Sequence, residues 1–430
     1  MPLTIGTPSC RRAPLRARSL GAALILASAA AYAQEAPVTL DAALQAATDR
    51  SAAMGAAQAS VSASSEAAVK AGQLPNPMLA AGVDNLPING AQGFTIGQNI
   101  LTMRRIGIEQ EWVSPEKRRL RSTLANQVVD RERSGFLTQF ANVRQQTASA
   151  WLNAVYAKKS VSLEQELVGH MTHELDATKA SYRGAKSTAA DVTQAQVMLA
   201  QTQDQLLKAQ QTLRTALISL SRWTASTVTD VSGEPPAPQS VVASLPPDQL
   251  TEVEPALISA MADIKLADAD TAVANSNRST NWTWNVSYLQ GGGSSRFVSV
   301  GVTIPLPLNR KNVEDRDVAE KGELGTKARL TYEDIQRQVE ADVQNLSATL
   351  ASGRERIARL NQDLLPAADQ RVQLAAAAYK AGTGSLADTF AARRAQLEAE
   401  LQVLDLQRDV SQTWAQLEYQ VVPASMAVSQ

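Results

Sequence analysis

His170 and His173 are the only histidines of the 430-residue chain. Spaced i and i+3 on a helical stretch with Glu174 beside them, they could hold one metal ion from a single helix face. A fixed metal needs further ligands and partners that orient the imidazoles. None is evident nearby, so the pair reads as two solvated side chains and no metal site is expected. The remaining chemistry is thin. The only cysteine is Cys10, and there is no phosphate-binding Gly-Lys loop, no zinc-spaced cluster and no serine in a nucleophile elbow. The sequence predicts neither catalysis nor a cofactor, and any transport must draw its energy from a partner.

What remains is architecture. Arg11, Arg12, Arg16 and Arg18 precede an apolar run from Leu20 to Ala31, and Ala31-Tyr32-Ala33 places small residues at a cleavage site. Residues 1–33 therefore read as a secretory signal. Cys10 falls inside it, which leaves no thiol for a disulfide or a lipid on the mature chain. No other stretch approaches the roughly 20 apolar residues of a membrane-spanning helix. Without the four arginines, 37 basic residues face 42 acidic ones, a net charge of about −5, so a basic nucleic-acid surface is absent. Aromatics make up only 4%, and long Ala/Gln/Leu/Glu/Arg stretches belong to long helices and coiled coils.

Gly and Pro punctuate the chain at Gly72–Pro77, Gly82–Gly97, Pro115, Gly184, Gly233–Pro247, Gly291–Pro307 and Gly382–Gly384. Tyr182-Arg183-Gly184 followed by Ala190-Asp191-Val192 is echoed 197 residues later by Tyr379-Lys380-Ala381-Gly382 followed by Ala387-Asp388-Thr389. The order of elements repeats as well: helix, strand, loop, strand ending near a proline, very long helix, Gly-containing turn, helix. An internal duplication follows, with residues 34–223 as the first repeat, 224–250 as a Pro-rich linker and 251–430 as the second repeat and tail.

Within the helices the apolar period is nearer 3.5 than 3.6. Phe136, Phe140, Val143, Thr147, Ala150, Ala154, Ala157 and Val161 form one seam, and Val192, Ala195, Leu199, Thr202, Leu206, Ala209 and Leu213 form another. Val339, Val343, Leu346, Leu350, Ile357, Leu360 and Leu364 form a third. Such seams pack helices into a left-handed supercoil. The first long helix, from about Pro115 to Ser181, would reach about 100 Å, too long for a compact domain.

Short segments alternate instead. Trp282, Trp284, Val286 and Tyr288 share one face against Thr283, Asn285 and Ser287, and Val298, Val300, Val302 and Ile304 alternate with Ser299, Gly301 and Thr303. Leu79, Ala81 and Val83, then Ile106, Ile108 and Trp112 with Gly107, Glu109 and Glu111 opposite, repeat the pattern more weakly. A soluble sheet packed on helices alternates likewise, but two such pairs leading into helices this long favour a membrane barrel. Four strands cannot close, and lipid tolerates no open edge. The chain must oligomerise, and three copies give an open lumen where two would give a plugged one.

With this order and spacing, the sequence resembles the TolC family of outer-membrane efflux proteins over nearly all of its mature length. The likeness rests on Leu74-Pro75-Asn76-Pro77, the duplicated strand pair and hairpin, the two tips, and Leu364-Leu365-Pro366. Gly82-Val83-Asp84-Asn85-Leu86-Pro87 and Thr102-Met103-Arg104-Arg105-Ile106-Gly107 resemble the heavy-metal branch of the cobalt, zinc and cadmium type. The resemblance implies a mainly α protein with a small β part: a homotrimeric outer-membrane β-barrel of four strands per chain, continued by a long α-helical barrel in the periplasm. It also implies a periplasmic adaptor, an inner-membrane pump of the resistance-nodulation-division type, and hairpin tips on which the adaptor docks.

The tips would comprise Tyr182, Gly184, Asp191, Tyr379, Gly382 and Asp388. A turn glycine and a helix-capping aspartate account for the same residue types without a partner. Glu109 and Glu111 would face the lumen and favour cations, or stand as two solvated charges offset by Arg104 and Arg105. Trp282, Trp284 and Tyr288 would face lipid. The competing function is a periplasmic coiled-coil adaptor or scaffold without a pore. Such a protein should show one hairpin flanked by small β-domains, whereas this chain has two hairpins and Trp-bearing strands.

Overall fold

A computed structural model describes residues 37–185, 187–292 and 295–427. The expected signal segment, residues 1–33 with Cys10, lies outside the described residues.

Helices α1 (Leu40–Arg50) and α2 (Ala52–Ala71) lead into strands β1 (Met78–Asp84) and β2 (Met103–Trp112). Helix α3 (Pro115–Arg183) then runs for 69 residues, about 100 Å at 1.5 Å per residue. Ser114 caps its start by accepting from the Lys117 N–H, and Pro115 takes a first-turn position whose N–H would have no partner. Helix α4 (Ala189–Thr224) returns along it.

The second half repeats the order with α5 (Pro247–Val253), α6 (Pro255–Asn277), β3 (Trp282–Gln290), β4 (Arg296–Thr303), α7 (Glu314–Arg359), α8 (Leu365–Lys380) and α9 (Leu386–Tyr419), closed by the short α10 (Ala424–Ala427). Here the long helix is interrupted. A π turn over Leu360–Leu364 separates α7 from α8, directly before Pro366. A proline inside a helix offers no N–H and crowds the preceding turn, and a wider turn relieves both.

The seams are where the 3.5-residue period places them. Val143, Thr147, Ala150, Ala154, Ala157 and Val161 of α3, Ala195 and Thr202 of α4, and Val343 and Leu350 of α7 are all buried. The main core sits midway along α3, where Trp151 and Leu152 pack with Leu40 of α1, Leu220 of α4 and Trp414 and Leu417 of α9. The Pro-rich connection crosses this point and is no loose tether. Val231 bridges to Val38, and Val231 and Val242 are buried in the same core. The indole N–H of Trp151 donates to the Val38 carbonyl and that of Trp414 to the Gln239 carbonyl, each at 2.9 Å.

The strands form one antiparallel sheet in the order β1-β2-β3-β4. The central β2–β3 ladder joins the two halves of the chain. The outer edges of β1 and β4 pair with no other strand among the described residues.

Candidate functional site: a two-faced sheet and two hairpin tips

Cross-strand partners in an antiparallel ladder lie on the same face, so the register sorts the sheet into rows. Leu79, Ile108, Val286 and Val300 make one row, and Ala81, Ile106, Tyr288 and Val298 another. Gln110, Trp284 and Val302 follow, and then Trp112 and Trp282, whose ring centroids are 6.0 Å apart. Ile106, Ile108, Val286, Tyr288, Val298 and Val300 are all largely exposed.

The opposite face carries the polar groups, with Glu109 beside Asn285 and Met78, and Gly107 beside Ser287 and Ser299, and it ends in a mixed row of Arg105, Leu289 and Phe297. Gly107 has a packing reason, because a Cβ there would stand 2.2 Å from the Ser287 Oγ. Trp282, Trp284 and Tyr288 thus share the apolar face, and Glu109 and Glu111 the polar one, as their alternation requires.

Arg104 and Arg105 do not act together as expected. Arg104 belongs to the row of Val83, Gln290 and Arg296, on the apolar side, and cannot offset charges across the sheet. Arg105 is on the polar side and is paired with Asp84 at 3.1 Å.

Glu111 is anchored where strand becomes helix. Its Oε1 accepts from the Asn281 side-chain amide at 2.7 Å, and the Asn281 oxygen accepts from Lys117 Nζ at 2.9 Å. Lys117 also donates to the Ser279 carbonyl. Only 4% exposed, it has its pKa held down by burial first and by Arg121 second, with Glu111 opposing. This polar knot ties the foot of α3 to the foot of β3. It went unnoticed in the sequence because a lysine and an asparagine 164 residues apart carry no local signature.

The two hairpin ends share one device. Thr188 caps α4 by accepting from the Asp191 N–H at 3.2 Å, and Asp191 Oδ2 accepts from the Thr188 N–H at 2.8 Å. Ser385 and Asp388 repeat this reciprocal box at α9, at 3.1 and 3.2 Å. The aspartates were expected to cap the returning helices; the caps proper are Thr188 and Ser385, and the aspartates lock them from the third helical position. Hydrogen bonds from the Thr188 backbone and side chain hold the Asp191 carboxyl below its usual range. The Ser385 side chain, then its backbone, does the same for Asp388.

The glycines differ. Gly382 has φ +74° and needs its freedom, whereas Gly184 has φ −83° and the left-handed position falls to Ala185 at +56°. The tyrosines differ as well: Tyr182 is half exposed, and Tyr379 packs on the cluster of Met171, Leu175 and Phe390.

Above the tips, α4 and α9 flank a groove floored by Glu164, Leu167 and Met171 of α3. Burial pushes the Glu164 carboxyl up, and also that of Glu174, which Arg393 opposes. Glu174 thus faces α9 and does not join the histidines. His170 and His173 are exposed, and His170 Nε2 lies 3.8 Å from Glu166 Oε1. Among the described residues no group of three His, Cys, Asp or Glu side chains could hold a metal ion. No described helix is long and apolar enough to cross a membrane.

Comparison with known proteins fits this geometry. A family model described as outer membrane efflux protein matches residues 248–419. No curated protein matches the chain by sequence. Among solved structures, a membrane protein from Pseudomonas aeruginosa superposes with a TM-score of 0.77 at 15% identity, covering 89% of each chain. CusC, described as forming a transmembrane channel, gives 0.76 at 14%, covering 88% of this chain and 90% of its own. The outer membrane protein VceC of Vibrio cholerae gives 0.71 at 14%, covering 88% and 94%. The described chain has the fold of these proteins, and its second half matches the efflux family.

Proposed function

We propose that the chain is the outer-membrane channel of a tripartite efflux assembly and conducts solute passively from a periplasmic pump and adaptor to the outside. One observation carries the reading: a two-faced, four-stranded sheet with both edges unpaired stands at one end of helices about 100 Å long. In lipid an open edge leaves backbone groups unsatisfied at several kcal/mol each, so such a sheet is viable only closed by copies of itself. Three copies supply enough strands for a water-filled lumen, with Glu109 and Glu111 on its wall and Trp282, Trp284 and Tyr288 toward lipid. The two repeats, 34–223 and 251–430, then form alternating staves of one barrel in the outer membrane, with the helices in the periplasm. Tyr182, Gly184, Asp191, Tyr379, Gly382 and Asp388 sit at the far end, where an adaptor would dock.

Heavy-metal cations are the substrates we favour, on the motif resemblance at Gly82–Pro87 and Thr102–Gly107 and on the carboxylates of Glu109 and Glu111. The channel is tested by mass measurement in detergent and by conductance in planar bilayers. Trimers with discrete conductance are expected, and a stable water-soluble monomer would refute the proposal. The substrate is tested by deleting the gene and titrating zinc, cobalt, cadmium and unrelated drugs; lost drug tolerance with unchanged metal tolerance would exclude metals.

A further inference from the structure

The apolar stripe of β4 does not stop where its ladder stops. Val298, Val300 and Val302 lie on the outward face, the last ladder pair is Thr283 with Thr303, and the even-numbered pattern continues through Ile304, Leu306 and Leu308. Leu306 is 74% exposed and Leu308 92%, the most exposed large apolar side chain among the described residues.

The intervening residues, Pro305 and Pro307, match this placement. The Gly291 N–H donates to the Ser295 carbonyl at 3.0 Å, which sets the alternation: backbone groups of odd-numbered β4 residues point toward β3 and those of even-numbered residues toward the free edge. The prolines therefore withhold donors only on the side where β3 has already ended, at no cost.

The length fits as well. On the outward face the charged row of Arg104 and Arg296 ends the band at one side. From the next row, at Val298, to Leu306 is about 26 Å of extended chain, or about 20 Å after a barrel strand's tilt, most of the ~25 Å height of a lipid-facing band, and the chain then turns, with the Leu308 N–H donating to the Leu306 carbonyl at 2.9 Å. The ladder alone, down to Trp112 and Trp282, covers little more than half of that height. Directly beyond Leu308 come Arg310 and Lys311, both exposed and in no ion pair among the described residues.

We propose that residues 304–311 form a membrane-interface collar: Ile304, Leu306 and Leu308 enter the inner leaflet of the outer membrane, and Arg310 and Lys311 engage the phosphates of anionic phospholipid. The proposal rests on the channel reading and adds a second contact surface below the ladder. It is tested with Leu308→Cys and Val300→Cys, each labelled with a polarity-sensitive fluorophore and reconstituted in phosphatidylethanolamine and phosphatidylglycerol vesicles containing acyl chains brominated at known depth. Both labels should emit at shorter wavelength than in water and lose most of their intensity to the brominated lipid, Leu308→Cys most strongly to bromine near the headgroup. A quenched label at 300 with a water-like label at 308 overturns the collar and leaves the barrel intact. Water-like emission at both sites overturns the two together. Exchanging both charges, Arg310→Glu with Lys311→Glu, should abolish any preference for phosphatidylglycerol; an unchanged preference would remove the phosphate contact from the proposal.

Discussion

Gly353 of α7 and Val410 of α9 meet so closely that a Cβ on the glycine would lie 2.4 Å from the valine's Cγ2. Gly353 is buried on the seam between Leu350 and Ile357, so the two helices approach there to a distance that no side chain permits. Gly353→Ala should force them apart and destabilise the helical body by about 1–3 kcal/mol, the usual cost of overpacking. Val410→Ala in the same chain should recover much of that loss. Denaturant unfolding of the two single variants and the double variant measures the coupling; strictly additive losses would mean that the pair does not touch.

The 3.5-residue pattern was readable because each helix writes its buried face into its own sequence. Gly353 was not, since a glycine on a seam looks like a gap in the pattern until the opposite helix is seen to fill it. In the sheet, alternation assigned Trp282, Trp284, Tyr288, Glu109 and Glu111 to their faces, and the same rule sets Arg104 opposite Arg105, which reading the two arginines as one offsetting pair overlooks. At the tips Asp191 and Asp388 were legible as residues of the helix starts, whereas the caps themselves, Thr188 and Ser385, were not. The left-handed turn at Ala185 was hidden because the neighbouring Gly184 seemed the natural place for it.

The reciprocal boxes at Thr188–Asp191 and Ser385–Asp388 should hold the hairpin ends closed. Thr188→Ala and Ser385→Ala remove the capping oxygen, which costs about 0.5–2 kcal/mol per helix end. Hydrogen exchange in the first turns of α4 and α9 should accelerate accordingly, while amides near Trp151 stay protected. Both aspartates have carboxyl groups held below their unfolded range. Their stabilisation is therefore complete above the unfolded pKa and is lost as the pH falls through the lower, folded one. Protection at the tips should persist at neutral pH and fail only in strong acid.

Glu254 should give the opposite pH response. It precedes α6, is 8% exposed, and burial raises its pKa to about 7, with the nearby Ala256 backbone N–H opposing. Between the ordinary carboxyl value of 4.5 and about 7 the folded chain keeps a proton that the unfolded chain has released, so stability falls as the pH rises through that window and levels off above it. The total is on the order of 3 kcal/mol. Glu254→Gln retains an acceptor without the charge and should flatten the profile, gaining most at pH 8. A variant whose stability still declines between pH 5 and 7 would show that another group is responsible.

Ile108 and Glu109 are chain neighbours on opposite faces of β2, one in the row of Val286 and Val300 and the other beside Asn285, and they offer the sharpest test of the two-faced sheet. A lysine on the lipid face of a barrel costs about 2–4 kcal/mol at the midplane and less toward either interface, whereas lumen-facing substitutions tune selectivity. Ile108→Lys should therefore sharply reduce the yield of trimer extracted from outer membranes. Glu109→Lys adds the same side chain one residue away and should leave the yield unchanged, while moving the reversal potential under a salt gradient toward anions. On the proposed channel reading, a lysine at 108 would meet hydrocarbon and have to shed its water, whereas at 109 it would stay hydrated and change only the field along the pore. Equal losses of trimer from both variants would mean that both faces are buried alike, as in a soluble sheet covered by helices, and the channel would then have no wall.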